Sequence, residues 1–158
     1  IRGGVNLDGA IREHAFMPVK GDDAGGAPPF LWIQKPLGPP PTEEQLRRAK
    51  NTLADYEADV PQVVAAWHRR LGTITGGALR VMLDRPGITH IDFSDEPLWD
   101  PALPANIRAG KLETLSDTRA WIRAFFDGCV RGQWADLQRL AGKARPDVTV
   151  HVFGKPWP

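Results

Sequence analysis

The chain has 158 residues, 42% of them hydrophobic and 25% charged, the size and make-up of one globular domain with enough chain to bury a core. Its 20 Lys and Arg stand against 19 Asp and Glu, a formal net charge of +1, so the composition carries neither a basic nucleic-acid surface nor an acidic tail. Apolar runs fall far short of the roughly 18 residues of a membrane-spanning helix, and a single Cys129 excludes an internal disulfide or a Cys-rich zinc site.

Sixteen Gly and 15 Pro suit a loop-rich α/β chain better than a helical bundle. The chain begins at Ile1 without an initiator Met or a signal-peptide profile, so it is expected to be part of a longer product. Val5–Leu7 in front of Asp8-Gly9 predicts a short buried strand ending in a turn. Residues 12–29, with Gly21, Gly25, Gly26, Pro28 and Pro29, predict a loop. Phe30–Ile33, an apolar run bounded by prolines, predicts a second strand, buried on both faces as in a parallel sheet.

Thr42 with Gln45 three residues on is a capping box, opening a polar helical segment to about Asp59. Val63, Val64, Trp67 and Leu71 then fall at helical spacing over residues 60–71. Ala78–Leu83 predicts a third strand, closed by a Pro86-Gly87 turn. Ser116 or Asp117 is expected to cap a helix whose apolar face is Trp121, Ile122, Phe125, Phe126, Cys129 and Val130. A weaker helix follows over 133–141, and Val148–Phe153 is either a late edge strand or an ordered tail.

Strand alternating with helix argues for an α/β fold on parallel strands, read as a single partial domain over residues 1–158 with a C-terminal extension from about 132. Three buried strands make a meagre sheet, since sheets usually hold about four to six, so further strands are expected upstream of Ile1.

Four histidines could carry chemistry. His68 stands on an Arg-rich helix, His14 in a loop and His151 in the terminal segment, each explained by an ordinary structural position. No two pair at metal-ligand spacing, so no metal or cofactor is expected. His90 differs, because it follows a strand and a turn in Arg85-Pro-Gly-Ile-Thr-His90-Ile-Asp-Phe-Ser-Asp95, at the carboxyl end of a parallel sheet where ligands bind. Asp8 is placed the same way after Val-Asn-Leu; alone it makes a good turn, and beside His90 it could hold the imidazole in its useful tautomer.

Together, Gly-Gly-Val-Asn-Leu-Asp-Gly-Ala, Pro-Pro-Phe-Leu-Trp-Ile and Pro-Gly-Ile-Thr-His-Ile-Asp-Phe-Ser-Asp resemble the C-terminal half of α/β-hydrolases. The branch most similar is that of the platelet-activating-factor acetylhydrolase-like esterases and lipases, over roughly residues 1–130. The resemblance implies an α/β-hydrolase fold, carboxylic-ester hydrolysis, Asp8 as the triad acid and His90 as the triad base. It also demands a Gly-x-Ser-x-Gly nucleophile elbow. The chain holds only Ser94 and Ser116, neither flanked by glycines at that spacing, so the nucleophile and the oxyanion hole are expected in a companion N-terminal part of the same hydrolase.

Asp8 and His90 are separated by far more than the roughly 30 residues of a βαβ unit. Residues 12–29 and 42–71 are therefore candidates for a cap over an ester substrate. Phe16 and Trp32 are the candidates to line that site, core packing being the competing reading for Trp32. A non-catalytic α/β module binding a hydrophobic ligand or partner protein, and an accessory subunit pairing through its sheet edge, are the alternatives.

Overall fold

The computed structural model describes residues 3–8, 27–94, 99, 102–143, 145–155 and 157. Its frame is a four-stranded sheet in the order β1 (Gly4–Leu7), β2 (Phe30–Gln34), β3 (Ala78–Leu83), β4 (Val148–Phe153). The first three strands run parallel, Val5 opposite Leu31 and Leu31 opposite Leu79, and β4 returns antiparallel with Val81 opposite Val150. The C-terminal segment is thus an edge strand rather than a tail, and the sheet is mixed. This is an α/β architecture with helices against both faces.

The pleat sorts the side chains. Leu31, Ile33, Leu79, Val81 and Leu83, all fully buried, face one side with Val5, Leu7, Val148 and Val150. They pack under Trp121 and Phe125 of α3 (Ala105–Arg131) and Leu137 of α4 (Ala135–Gly142). Each such burial is worth about 1.5–3 kcal/mol, so this face anchors the molecule. Gly128 of α3 is necessary there: a Cβ on it would collide with the Trp134 ring, which seats against the helix at that point. The opposite face carries Phe30, Trp32, Ala78 and Phe153 beneath Trp67 and Leu71 of α2 (Leu53–Gly72) and the following Ile74.

Two helix boundaries differ from expectation. The segment after Thr42 breaks early: α1 (Glu43–Arg48) ends, Lys50 takes a left-handed φ of 55°, and Thr52 opens α2 with its own capping box to Asp55. No break occurs near Asp59, because Pro61 is accommodated inside α2 on an exposed surface, where water can serve the carbonyl that loses its N–H partner. In the second case α3 starts at Ala105, not at Ser116 or Asp117. Ser116 is an exposed mid-helix residue, and the neighbouring Thr114 and Thr118 return their hydroxyls to the carbonyls of Gly110 (3.0 Å) and Thr114 (2.8 Å) instead of capping anything. Gly132, at φ 70°, ends the helix.

The length between Asp8 and His90 has a topological cause. A whole strand, β2, lies between β1 and β3, so the chain crosses over twice before His90. The second crossover contains α1 and α2, and the Trp67–Leu71 end of α2 is part of the layer covering the sheet. Most of the 12–29 loop, with His14 and Phe16, lies outside the described residues. No helix among the described residues is long and apolar enough to cross a membrane.

Candidate active site

Asp8 is the first residue beyond β1. Its N–H still donates to the Ile33 carbonyl at 2.7 Å, while its own backbone turns into the left-handed region at φ 49°, which a short polar side chain tolerates better than most. That turn aims the carboxylate across the carboxyl end of β2. Oδ1 accepts the Lys35 N–H at 3.0 Å, and Oδ2 lies 2.8 Å from Nδ1 of His90. The structure therefore brings together, from strands two apart, the two residues the sequence singled out.

A carboxylate only accepts, so the proton in this contact belongs to His90 Nδ1 and the Nε2 lone pair is left free. The Asp8 side chain is 10% exposed and the His90 side chain 68%, so the acid is fixed in the protein and the imidazole stands open to solvent. Chemically this is an imidazole whose tautomer is set from behind and whose ring is open to solvent, an arrangement capable of general-base chemistry.

His90 opens a short 3-10 turn, His90–Phe93, just past β3. Phe93 plugs the turn into the main core. Asp92 is 1% exposed; its Oδ2 accepts the Thr89 N–H at 2.6 Å, and Oδ1 pairs with the Lys111 ammonium from α3. Sequence reading passed over this pair, although Thr89 and Asp92 stand at capping-box spacing and Asp92 sits between two apolar residues.

A second network also escaped notice. Arg85, at the exit of β3, donates to Asp147 through Nε at 3.0 Å, to Thr114 at 3.1 Å and to Asp117; Arg145 adds bonds to Asp117 and Asp147, each at 2.8 Å. Glu113, Asp117 and Asp147 come close enough together to suggest a cation site, but the two guanidiniums already supply the positive charge. The network ties the end of β3 to α3 and to the entry of β4. A cleft of about 550 Å³ opens behind the turn, with Asp92 and Lys111 in its wall; neither Asp8 nor His90 lines it.

The other expected residues fall elsewhere. Trp32 is 2% exposed, its ring edge-on to Trp67 at 5.1 Å, so it is a core residue of the α2-covered face and the substrate-lining expectation is corrected. Periodicity could not separate the two readings, because an apolar run buried on both faces looks the same from either. Phe16 lies outside the described residues. The Ser94 hydroxyl donates to the Ile91 carbonyl at 2.6 Å, and Ser116 is exposed on α3. Cys129 is half-buried and its thiol is pushed up to about 11 by burial, which suits packing and not nucleophilic attack.

His68 and His151 meet on the far face of the sheet. Arg80 of β3, 3% exposed, directs Nη1 at His68 Nε2 over 2.6 Å and lays its guanidinium over Trp32 and Trp67, at 5.0 and 5.8 Å from the ring centres. His151 is the cross-strand neighbour of Arg80, its ring 5.3 Å from that of His68. Burial, then the Arg80 charge, holds both imidazoles below the usual histidine range.

No family model matches the chain, and neither a curated protein nor a solved structure matches it.

Proposed function

We propose that this chain supplies the acid and base of a serine-dependent carboxylic-ester hydrolase, Asp8 orienting and charge-compensating His90. The nucleophilic serine and the oxyanion hole come from a segment outside these 158 residues. The observation that supports the reading is the 2.8 Å contact between His90 Nδ1 and the largely covered Asp8 carboxylate, with the imidazole 68% exposed. In the reaction, Nε2 takes the serine hydroxyl proton as the oxygen attacks the ester carbonyl. It returns that proton to the leaving alcohol, and the acyl-enzyme is then hydrolysed by a water that Nε2 deprotonates in turn.

The sheet edge supports a companion of this kind. Gly4 and Asp8 direct their N–H groups to β2, so the alternate residues Val5 and Leu7 turn theirs to the other side of β1, where the described residues place no strand. A strand added there in parallel would end beside Asp8. That is where a residue following it could present its hydroxyl to His90. Such an edge also needs covering, since unpaired backbone invites association.

The test is to isolate the protein from its source through this chain and treat it with a fluorophosphonate probe. Labelling is expected on a serine outside the chain, within a Gly-x-Ser-x-Gly elbow. Stoichiometric labelling of Ser94 or Ser116 overturns the reading. Complete absence of labelling together with binding of an apolar ligand favours the accessory-module alternative.

A further inference from the structure

His90 is a base with almost nothing packed around it. At 68% side-chain exposure, its position is set, among the described residues, by a hydrogen bond to Asp8 and by the backbone that carries it. That backbone is a four-residue 3-10 turn, too short to hold itself, since such turns have few and poorly directed internal bonds. What holds it lies one layer below. The Asp92 carboxylate takes the Thr89 N–H at 2.6 Å, the Asp92 N–H returns to the Thr89 carbonyl at 3.2 Å, and the Lys111 ammonium from α3 neutralises the carboxylate.

We propose that Asp92 and Lys111 are positioning residues for His90, a buried ion pair that clamps the residue preceding the base and so fixes where the imidazole can reach. The assignment of a purpose to this clamp rests on the hydrolase reading; the clamp itself is a matter of geometry. A buried pair such as this contributes little net stability against an apolar replacement, so its use lies in specifying one conformation. Asp92 satisfies both requirements for that. It is fully desolvated, which makes a wrong turn geometry costly, and each of its oxygens is committed to a different element. Neither residue touches the reacting atoms.

The experiment follows the ring of His90 by nitrogen and proton NMR in the full protein, reading the tautomer and the low-field Nδ1 proton shared with Asp8. Asp92→Ala with Lys111→Met removes both buried charges together, so no unpaired ion is left, and deprives the Thr89 N–H of its acceptor. This variant should fold yet lose the His90 Nδ1 signature. Asp92→Asn with Lys111→Met restores an acceptor of the same shape and should recover the signature. A folded Asp92→Ala/Lys111→Met protein whose His90 signals match the wild type overturns the proposal.

The unmodified protein provides a measurement that no folding failure can spoil. The Thr89 amide should exchange with solvent only as fast as the Asp8–His90 pair opens. Exchange at the rate of a free turn, while His90 remains paired, overturns the proposal as well. None of these readouts requires turnover. Loss of the clamp's effect leaves the hydrolase reading standing, and absence of ester hydrolysis leaves the clamp standing.

Discussion

Two histidine sites occupy this small sheet, and they are opposites. At the carboxyl end of β1 and β3, His90 donates an Nδ1–H hydrogen bond to a carboxylate and its ring stands open to solvent. On the α2-covered face, His68 receives a proton donor: the guanidinium of Arg80 can only donate, so Nε2 of His68 must be its acceptor and the ring must be neutral. At the first site a second proton on the ring is compensated by the negative charge behind it. At the second it would be a further cation beside a buried guanidinium that has no carboxylate among the described residues. The partner, not the residue type, decides which ring nitrogen donates and which accepts.

The largest expected effect tests that division together with the proposed function. If the proposed hydrolase reading holds, His90→Ala takes away both the base that would activate the serine and the acid that would serve the leaving group, and should lower kcat by on the order of 10⁴ to 10⁶. Asp8→Asn keeps the shape but permits the wrong tautomer, so its loss should be large and no greater. His68→Ala and His151→Ala should leave kcat within a few-fold of the wild type. Steady-state ester hydrolysis decides, and a collapse in His68→Ala with survival in His90→Ala would exchange the two sites' roles.

The first site was legible in the sequence and the second was not, for a physical reason. Asp8 follows directly on an apolar strand and His90 follows one after a short Pro-Gly turn, and the end of a parallel strand is a place that local pattern can find. Their meeting across an intervening β2 is not local, and part of the long separation between them is taken up by that strand and a second crossover. The Arg80 cluster depends on register: Trp32, Arg80 and His151 form one cross-strand row, with His68 above it from α2. No single segment carries that row. The strands themselves were plain from their apolar runs, whereas α3 began earlier than read because its first turns, from Ala105, carry little apolar periodicity and no side-chain cap.

Next in size are the buried charges. Lys111→Met leaves Asp92 buried and unpaired, and should cost about 3–5 kcal/mol in urea denaturation. Arg80→Met removes a buried cation that has no carboxylate partner among the described residues, exchanging two cation–π contacts and one hydrogen bond for relief from desolvation. Its effect at pH 8 should stay within about 2 kcal/mol. Equal losses from the two variants would mean that Arg80 is compensated as fully as Lys111, and the contrast between the sites would fail.

The smallest effect is a slope with pH, and its sign follows from the Arg80 cluster. Burial first, and the Arg80 charge second, lower the affinity of folded His68 and His151 for protons. The unfolded chain, with ordinary histidines, therefore binds more protons than the folded one as the pH falls through about 6.5. Stability contributed by keeping these rings neutral is complete above that pH and is lost progressively below it, by at most about 1.4 kcal/mol per pH unit for each proton the fold refuses. His68→Gln places an amide oxygen where Nε2 now accepts from Arg80, keeping the hydrogen bond while removing the titration. It should match the wild type at pH 8 and lose less stability between pH 7 and 5. Denaturation midpoints across that interval measure the difference. A wild type whose stability is flat over the range, or a His68→Gln variant with an unchanged slope, would show that this face carries no histidine strain for acid to release.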